Sequence, residues 1–287
     1  MRVTIWGARG SVPAPGPETQ RYGGNTACVE VRGSDDTLLI LDAGTGIRRM
    51  GEAVCCEFQK IHILLSHLHL DHIQGLGFFA PLYDPHVEVH VWGPASTTQD
   101  LRSRLIRYLS PPLFPIHMRE LPNLVLHEVP NGDLEIGEFR IKSQLISHPG
   151  PTVGYRIESR QASIAYLPDH EPLMGATDWP ADPNWISGYS LCREVDLLIH
   201  DGQFTPKSYP DRIGWGHSSL YDALRFAEIA RVKRFATFHY DPNDDDEEVD
   251  ALIKEAVALA KPSFEVVPSF EGLSIKVPSP QSAMAVA

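Results

Sequence analysis

The sequence has little cysteine, no excess of positive charge and no long apolar run, and each shortage removes a class of protein. The thiols are Cys28, Cys55, Cys56 and Cys192, four in 287 residues. They show no zinc-ribbon spacing, and the adjacent pair Cys55-Cys56 is poorly placed to bridge to itself. Buried, unpaired thiols are the expectation. Lys and Arg number 25 against 37 Asp and Glu, a formal charge of -12. Such a surface gives no electrostatic incentive to hold a long polyanion nonspecifically. No stretch reaches the length of a membrane span, and Met1 to Trp6 reads as a first strand without a signal-peptide core, so a cytoplasmic protein is expected. Hydrophobic residues make up 43%, enough for a sizeable core. No short-period repeat is visible.

What the sequence has in abundance is histidine at strand ends. Ser66-His67-Leu68-His69-Leu70-Asp71-His72 follows the apolar run Ile61 to Leu65 and places three imidazoles and a carboxylate in six positions. On a chain leaving a strand, His67 and His69 point the same way, whereas a helical turn beginning near Asp71 swings Asp71 and His72 toward a second point. One segment can then serve two ions. Packing explains such a cluster poorly, because every buried polar group needs a partner. The donors suit zinc, with iron or manganese as alternatives.

A two-ion site needs further donors, and four other strand-like runs end in candidates: His148 after Ile141–Ile146, Asp169 and His170 after Ala162–Leu167, His200 and Asp201 after Val195–Ile199, and His239 after Phe235–Phe238. Polar residues following strand ends collect in one crevice in layered α/β proteins. Taken one at a time, each is as readily a loop cap as a ligand.

On His67-Leu68-His69-Leu70-Asp71-His72, and on the order of these distant donors, the sequence resembles the metallo-β-lactamase superfamily from Val3 to about Ile275. Within it, the resemblance is to the phosphodiesterase branch that includes ribonuclease Z and cyclic-phosphate hydrolases. It implies an α/β fold, an αββα sandwich of two mixed sheets flanked by helices; the spread of candidate ligands from His67 to His239 argues for one unit over 1–277, and the tail over 278–287 reads as disordered. It also implies a dinuclear site with zinc as the expected metal. One ion would be held by His67, His69 and His148 and the other by Asp71, His72 and His239, with Asp169 bridging. Asp42 would orient the ligands, and Asp71 counts among the catalytic residues as well.

Gly214-Trp215-Gly216-His217-Ser218-Ser219 is similar to a motif of the same branch. It implies that His217 contacts the scissile phosphate and protonates the leaving oxygen, with Asp201 as its partner. A bare helix cap is the alternative for His217, although Ser218 or Ser219 would serve equally well. Should His217 not be the acid, His170 or His200 is next in line. The sequence departs from ribonuclease Z in one respect: residues 149–168, between His148 and Asp169, leave room for two strands and a turn rather than a long RNA-gripping arm. A small phosphodiester such as a cyclic nucleotide is therefore the expected substrate, and no long nucleic acid or membrane is expected as partner. A homodimer stays open. The rivals are a lactonase, β-lactamase or thioesterase on the same scaffold, and a non-catalytic sensor with a structural metal.

Strands are expected at Val3–Trp6, Ala27–Arg32, Leu38–Asp42, Ile61–Leu65, Val87–Trp92, Val125–Val129, Phe139–Ile146, Gly154–Glu158, Ser163–Leu167, Leu197–His200, Phe235–His239 and Leu273–Val277. Helices are expected at Gly44–Glu52, Thr98–Leu109, Leu220–Ile229 and Val249–Ala260. The run Asp244 to Glu248 reads as helix-terminal capping rather than a calcium site. Long loops at 9–26, 110–115 and 171–193 either shape a pocket or merely connect. Trp179, Trp185, Tyr189 and Trp215 either stack a base or fill the core.

Overall fold

Apolar runs that alternate between two buried faces set the architecture. In the computed structural model, residues 1–277 are described apart from 55, 56, 122, 130, 131, 161 and 177. Cys55, Cys56 and the expected tail 278–287 thus lie outside the described residues.

In chain order the elements are β1 (Arg2–Gly7), β2 (Cys28–Arg32), β3 (Leu38–Leu41), α1 (Gly46–Ala53), β4 (Lys60–Leu64), α2 (Leu70–Ile73), β5 (Glu88–Pro94), α3 (Leu101–Leu105), β6 (Leu124–Val129), β7 (Gly132–Ile136) and β8 (Phe139–Leu145). There follow β9 (Val153–Glu158), β10 (Ser163–Leu167), α4 (Tyr189–Cys192), β11 (Leu197–Asp201), α5 (Leu220–Ile229), β12 (Arg234–Phe238), α6 (Asp246–Ala260), β13 (Glu265–Pro268) and β14 (Ser274–Lys276). They form two seven-stranded mixed sheets, ordered β14-β1-β2-β3-β4-β5-β6 and β13-β12-β11-β10-β9-β8-β7.

In β3, Leu39 and Leu41 join the large core that includes Ile141, Tyr155, Ile157 and Ile164 of the second sheet. Leu38 and Ile40, one residue out of phase, join a separate core with Ile47 and Met50 of α1. Burial on both faces is why β3 reads as an unbroken apolar run. In β8, by contrast, Phe139 and Ile141 are buried while Arg140 and Lys142 are exposed, the alternation of a strand with one wet face. Cys28 and Cys192 are buried and free, as expected; burial pushes the Cys192 thiol well up.

Strand direction places the chemistry. Strands β3 to β6 run parallel, as do β10 to β13. Because β8 and β10 are both antiparallel to β9, they point the same way. The exits of β8, β10, β11 and β12 therefore open on one side of the second sheet. Strands β9 and β10 with their turn fill the interval between His148 and Asp169, as expected.

Three readings need correction, and one left open is decided. The helix expected over Thr98–Leu109 is only Leu101–Leu105, because the Asp100 carboxylate accepts from Ser103 N (2.7 Å) and starts the helix later. Helix α6 begins at Asp246 rather than Val249. Its acidic residues form the first turn, and Asp245 and Glu248 make a reciprocal capping box. Strands β7 and β13 and helix α4 were not expected from the sequence. Trp179 is partly buried and packs against the core, stacking on Phe226 at 6.4 Å, and Tyr189 packs against the core as well.

Candidate metal centre

Each donor owes its place to a strand exit. The chain leaves β4 through Leu65 and Ser66, projects His67 and His69, and turns into α2, which carries Asp71 and His72. His148 follows β8, Asp169 follows β10 and His239 follows β12. Asp42 and His239 both sit at φ 60, a left-handed conformation that non-glycine residues seldom adopt. Such strain persists only where surrounding contacts over-determine it.

Two groups of donors result. His67, His69, His148 and Asp169 bring ligand atoms within 4.8 Å of one another, and so do Asp71, His72, Asp169 and His239. Asp169 belongs to both: its Oδ1 lies 3.1 Å from His72 Nε2, and its Oδ2 lies 3.6 Å from His67 Nε2, 3.7 Å from His148 Nε2 and 3.4 Å from His239 Nε2. His67 Nε2, His72 Nε2 and Asp169 Oδ1 are buried with no hydrogen-bond partner. Unsatisfied buried atoms are costly, and one unpaired imidazole nitrogen in each group, beside the shared Asp169, fits a cation in each.

The far sides of the His67, His72, His148 and His239 rings support the same conclusion. His72 Nδ1 donates to Asp42 Oδ2 (2.8 Å), His148 Nδ1 to the Gly216 carbonyl (2.8 Å) and His239 Nδ1 to Gln203 Oε1 (3.2 Å). His67 Nδ1 meets Ser66 Oγ (3.0 Å), whose own proton goes to Asp42 Oδ2 (2.8 Å). Every one of these bonds commits Nδ1 as the donor and turns the Nε2 lone pair inward, the arrangement that fixes a metal-ligating imidazole. Asp42 is saturated as an acceptor, taking bonds also from Ser66 N (2.7 Å) and Tyr166 OH (2.8 Å).

Burial, then the neighbouring imidazoles, hold His67 far below its ordinary pKa, and burial pushes His148 down to about 4, so both rings are neutral lone-pair donors. Asp71 lies well below the carboxylate range: burial opposes this, but His72 and His239 outweigh it. Its Oδ2 also accepts from Ser11 N (2.7 Å), which ties the 9–26 loop to the site.

His217 stands beside these groups. Its ring stacks on His239 at 4.8 Å and meets His148 at 5.1 Å, and its Nδ1 donates to Asp201 Oδ2 at 2.8 Å. Burial would depress this imidazole, but the charge and hydrogen bond of Asp201 prevail and raise it to about 9. With Nδ1 engaged, Nε2 is the nitrogen left for a further partner. His170 and His200, the alternatives to His217, are engaged with each other and with the backbone. Both are buried, His170 Nδ1 is bonded to His200 Nε2 (2.9 Å), and His200 Nδ1 donates to the Asp201 carbonyl (2.6 Å).

Of the four aromatic candidates, Trp185 and Trp215 are the exposed ones, at 82% and 61%. Only Trp215 is two residues from a site histidine. Ser11, Gln203 and Glu171 were missed in the sequence, where nothing in their local pattern distinguishes them from ordinary loop residues.

Residues 37–240 match the family description "Beta-lactamase superfamily domain". The chain belongs to that superfamily. A superfamily relative named ribonuclease Z from Thermoplasma acidophilum is 25% identical over 306 residues, covering 92% of this chain and 94% of its own. Another protein of that name, from Thermococcus gammatolerans, is 25% identical over 243 residues, with 70% and 74% covered. Among solved structures, the metallo-β-lactamase fold protein YhfI of Bacillus subtilis superposes with a TM-score of 0.71 at 20% identity, covering 96% of this chain and 99% of its own. Superfamily membership and the donor set make this chain a metal-dependent hydrolase.

Proposed function

We propose that the chain is a two-metal phosphodiesterase acting on a compact phosphodiester such as a cyclic nucleotide. The observation that carries this reading is the His217–Asp201 pair, whose ligand-type atoms lie within 4.8 Å of one another and of His239. An acyl substrate has no phosphate to occupy that position. The ribonuclease Z relatives support phosphodiester chemistry.

His67, His69, His148 and Asp169 would hold one divalent ion, and Asp71, His72, His239 and Asp169 the other. When bound, such a pair supplies Lewis acidity to phosphoryl oxygens and acidifies water at neutral pH. Zinc suits this imidazole and carboxylate set. The chain contributes the rest. Asp42, Ser66, Gln203 and the Gly216 carbonyl orient the imidazoles. His217, held by Asp201 with a proton on Nε2, delivers that proton to the departing alkoxide. The short β9–β10 interval and the charge of -12 favour a small substrate over a long RNA.

The test is a panel run on the zinc-loaded protein: bis-p-nitrophenyl phosphate, cyclic nucleotides, a lactone, a cephalosporin and a precursor transfer RNA. The diesters should turn over fastest. Faster lactone or cephalosporin hydrolysis would move the chemistry to acyl transfer, and efficient cleavage of the RNA at physiological salt would overturn the small-substrate assignment. The described residues include no helix long and apolar enough to cross a membrane.

A further inference from the structure

Glu171 is fully buried, yet it lies outside both donor groups and the His217–Asp201 pair. Its carboxylate accepts from Gly214 N (2.9 Å to Oε1, 3.0 Å to Oε2), Gly216 N (2.8 Å) and Tyr209 OH (2.8 Å). All of these partners are donors, so the side chain serves purely as an acceptor. Two backbone N–H groups converging on one anion form the kind of concavity that elsewhere holds a bound phosphate or carboxylate. Here the chain supplies its own anion.

The consequence lies in what the held peptides carry. The Gly216 carbonyl is the acceptor for His148 Nδ1 (2.8 Å), and the next residue is His217. Gly214 and Gly216 sit at φ 87 and 88, where L side chains are strained. A Cβ on Gly216 would also stand 2.3 Å from His148 Nδ1. This loop has little conformational preference of its own, and the buried carboxylate selects one geometry for it. The segment is tied from behind as well: Glu171 N donates to Ser147 O (3.0 Å), next to His148, and Ser218 Oγ donates to His170 O (2.6 Å).

We propose that Glu171 is a positioning residue that sets two imidazoles through one peptide, turning the His148 lone pair toward its ion and placing His217 at the leaving group. The proposal rests on the two-metal phosphodiesterase reading for its second half only. The orientation of His148 stands on the donor geometry alone.

Glu171→Gln keeps the size but sets an amide N–H₂ against a backbone N–H. Zinc competition against a chromophoric chelator should show roughly 10–100-fold weaker affinity at one of the two ions, the usual effect of removing a partner behind a ligand. At saturating zinc, kcat on an unactivated diester should fall by a similar factor, with KM little changed. In a His217→Ala background, also at saturating zinc, the same substitution should add no further loss of turnover, because zinc loading offsets the His148 effect and the remaining route to the chemistry passes through His217. Tyr209→Phe removes one of the donors, leaves the carboxylate bonded to both glycines, and should give a smaller shift in the same direction even if Glu171→Gln does not fold. Unchanged zinc affinity in both variants, or a full additional loss of turnover in the His217→Ala background, would overturn the proposal. If the wild-type protein turns over no phosphodiester, the function reading fails while the zinc measurement still decides the role of Glu171.

Discussion

The Asp42 carboxylate lies 2.8 Å from His72 Nδ1 and, through Ser66 Oγ, one further bond from His67. A single buried acid thus sets the tautomer of one imidazole in each donor group. Asp42→Asn should weaken zinc binding about 10–100-fold, the range found for such partners, because one face of the amide then presents hydrogens to His72, Ser66 and Tyr166. Chelator competition measures the change, and wild-type affinity would show that the imidazoles orient themselves.

Asp169 is shared by both donor groups. The wild-type protein should carry two divalent ions per chain, and Asp169→Ala should loosen both, whereas His69→Ala should loosen mainly one. Elemental analysis after zinc loading and gel filtration checks the stoichiometry; one ion per wild-type chain would contradict the shared carboxylate.

His217→Ala should retain the metals and lose about 10²–10⁴-fold in turnover of an unactivated diester, the usual contribution of a general acid. The loss should shrink for an aryl ester, whose leaving group needs little protonation. Asp201→Asn should show a milder version through a misdirected ring. An equal loss on both esters would instead assign His217 to phosphate binding.

Away from the site, His62, His90 and His127 stand side by side on β4, β5 and β6, with ring centroids 4.8 and 5.0 Å apart. Burial first, then the charges of His90 and Lys60, depress His62 to about 4. The folded protein therefore binds fewer protons at this position than the unfolded chain does. The linked stability is fully present above the unfolded value near 6.5 and is lost as pH falls toward 4. The melting temperature of the metal-free protein should drop across that window, and less steeply in His62→Gln. An unchanged slope would mean that His62 titrates alike in the folded and unfolded states.

Much of the site was legible because metal chemistry constrains residue type and local spacing together. His67, His69, Asp71 and His72 sit on one strand exit, so their chemistry can be read from a few adjacent letters. Helix α5 matched its expected bounds, since an amphipathic run directly after Ser219 leaves little choice of start. The Thr98–Leu109 helix shrank because a cap, Asp100, competed with the propensity of the residues around it. Strands β7 and β13 were missed for a different reason. They are short edge strands with little apolar alternation, ordered by their neighbours β8 and β12 rather than by their own pattern.

The sequence by itself determined the donor types and their attachment to strand ends, which follow from periodicity and ligand chemistry within a few residues, and its resemblance to the superfamily implied the αββα class. Tertiary structure alone decided which nitrogen of His67, His72, His148 and His239 faces inward, and that Gln203, Glu171 and the Gly216 carbonyl join the expected Asp42 in deciding it. Those partners approach from segments far apart in the chain, and a hydrogen bond across 24 or 68 residues leaves no local trace in residue type. Only packed sheets bring such atoms within 3 Å of each other.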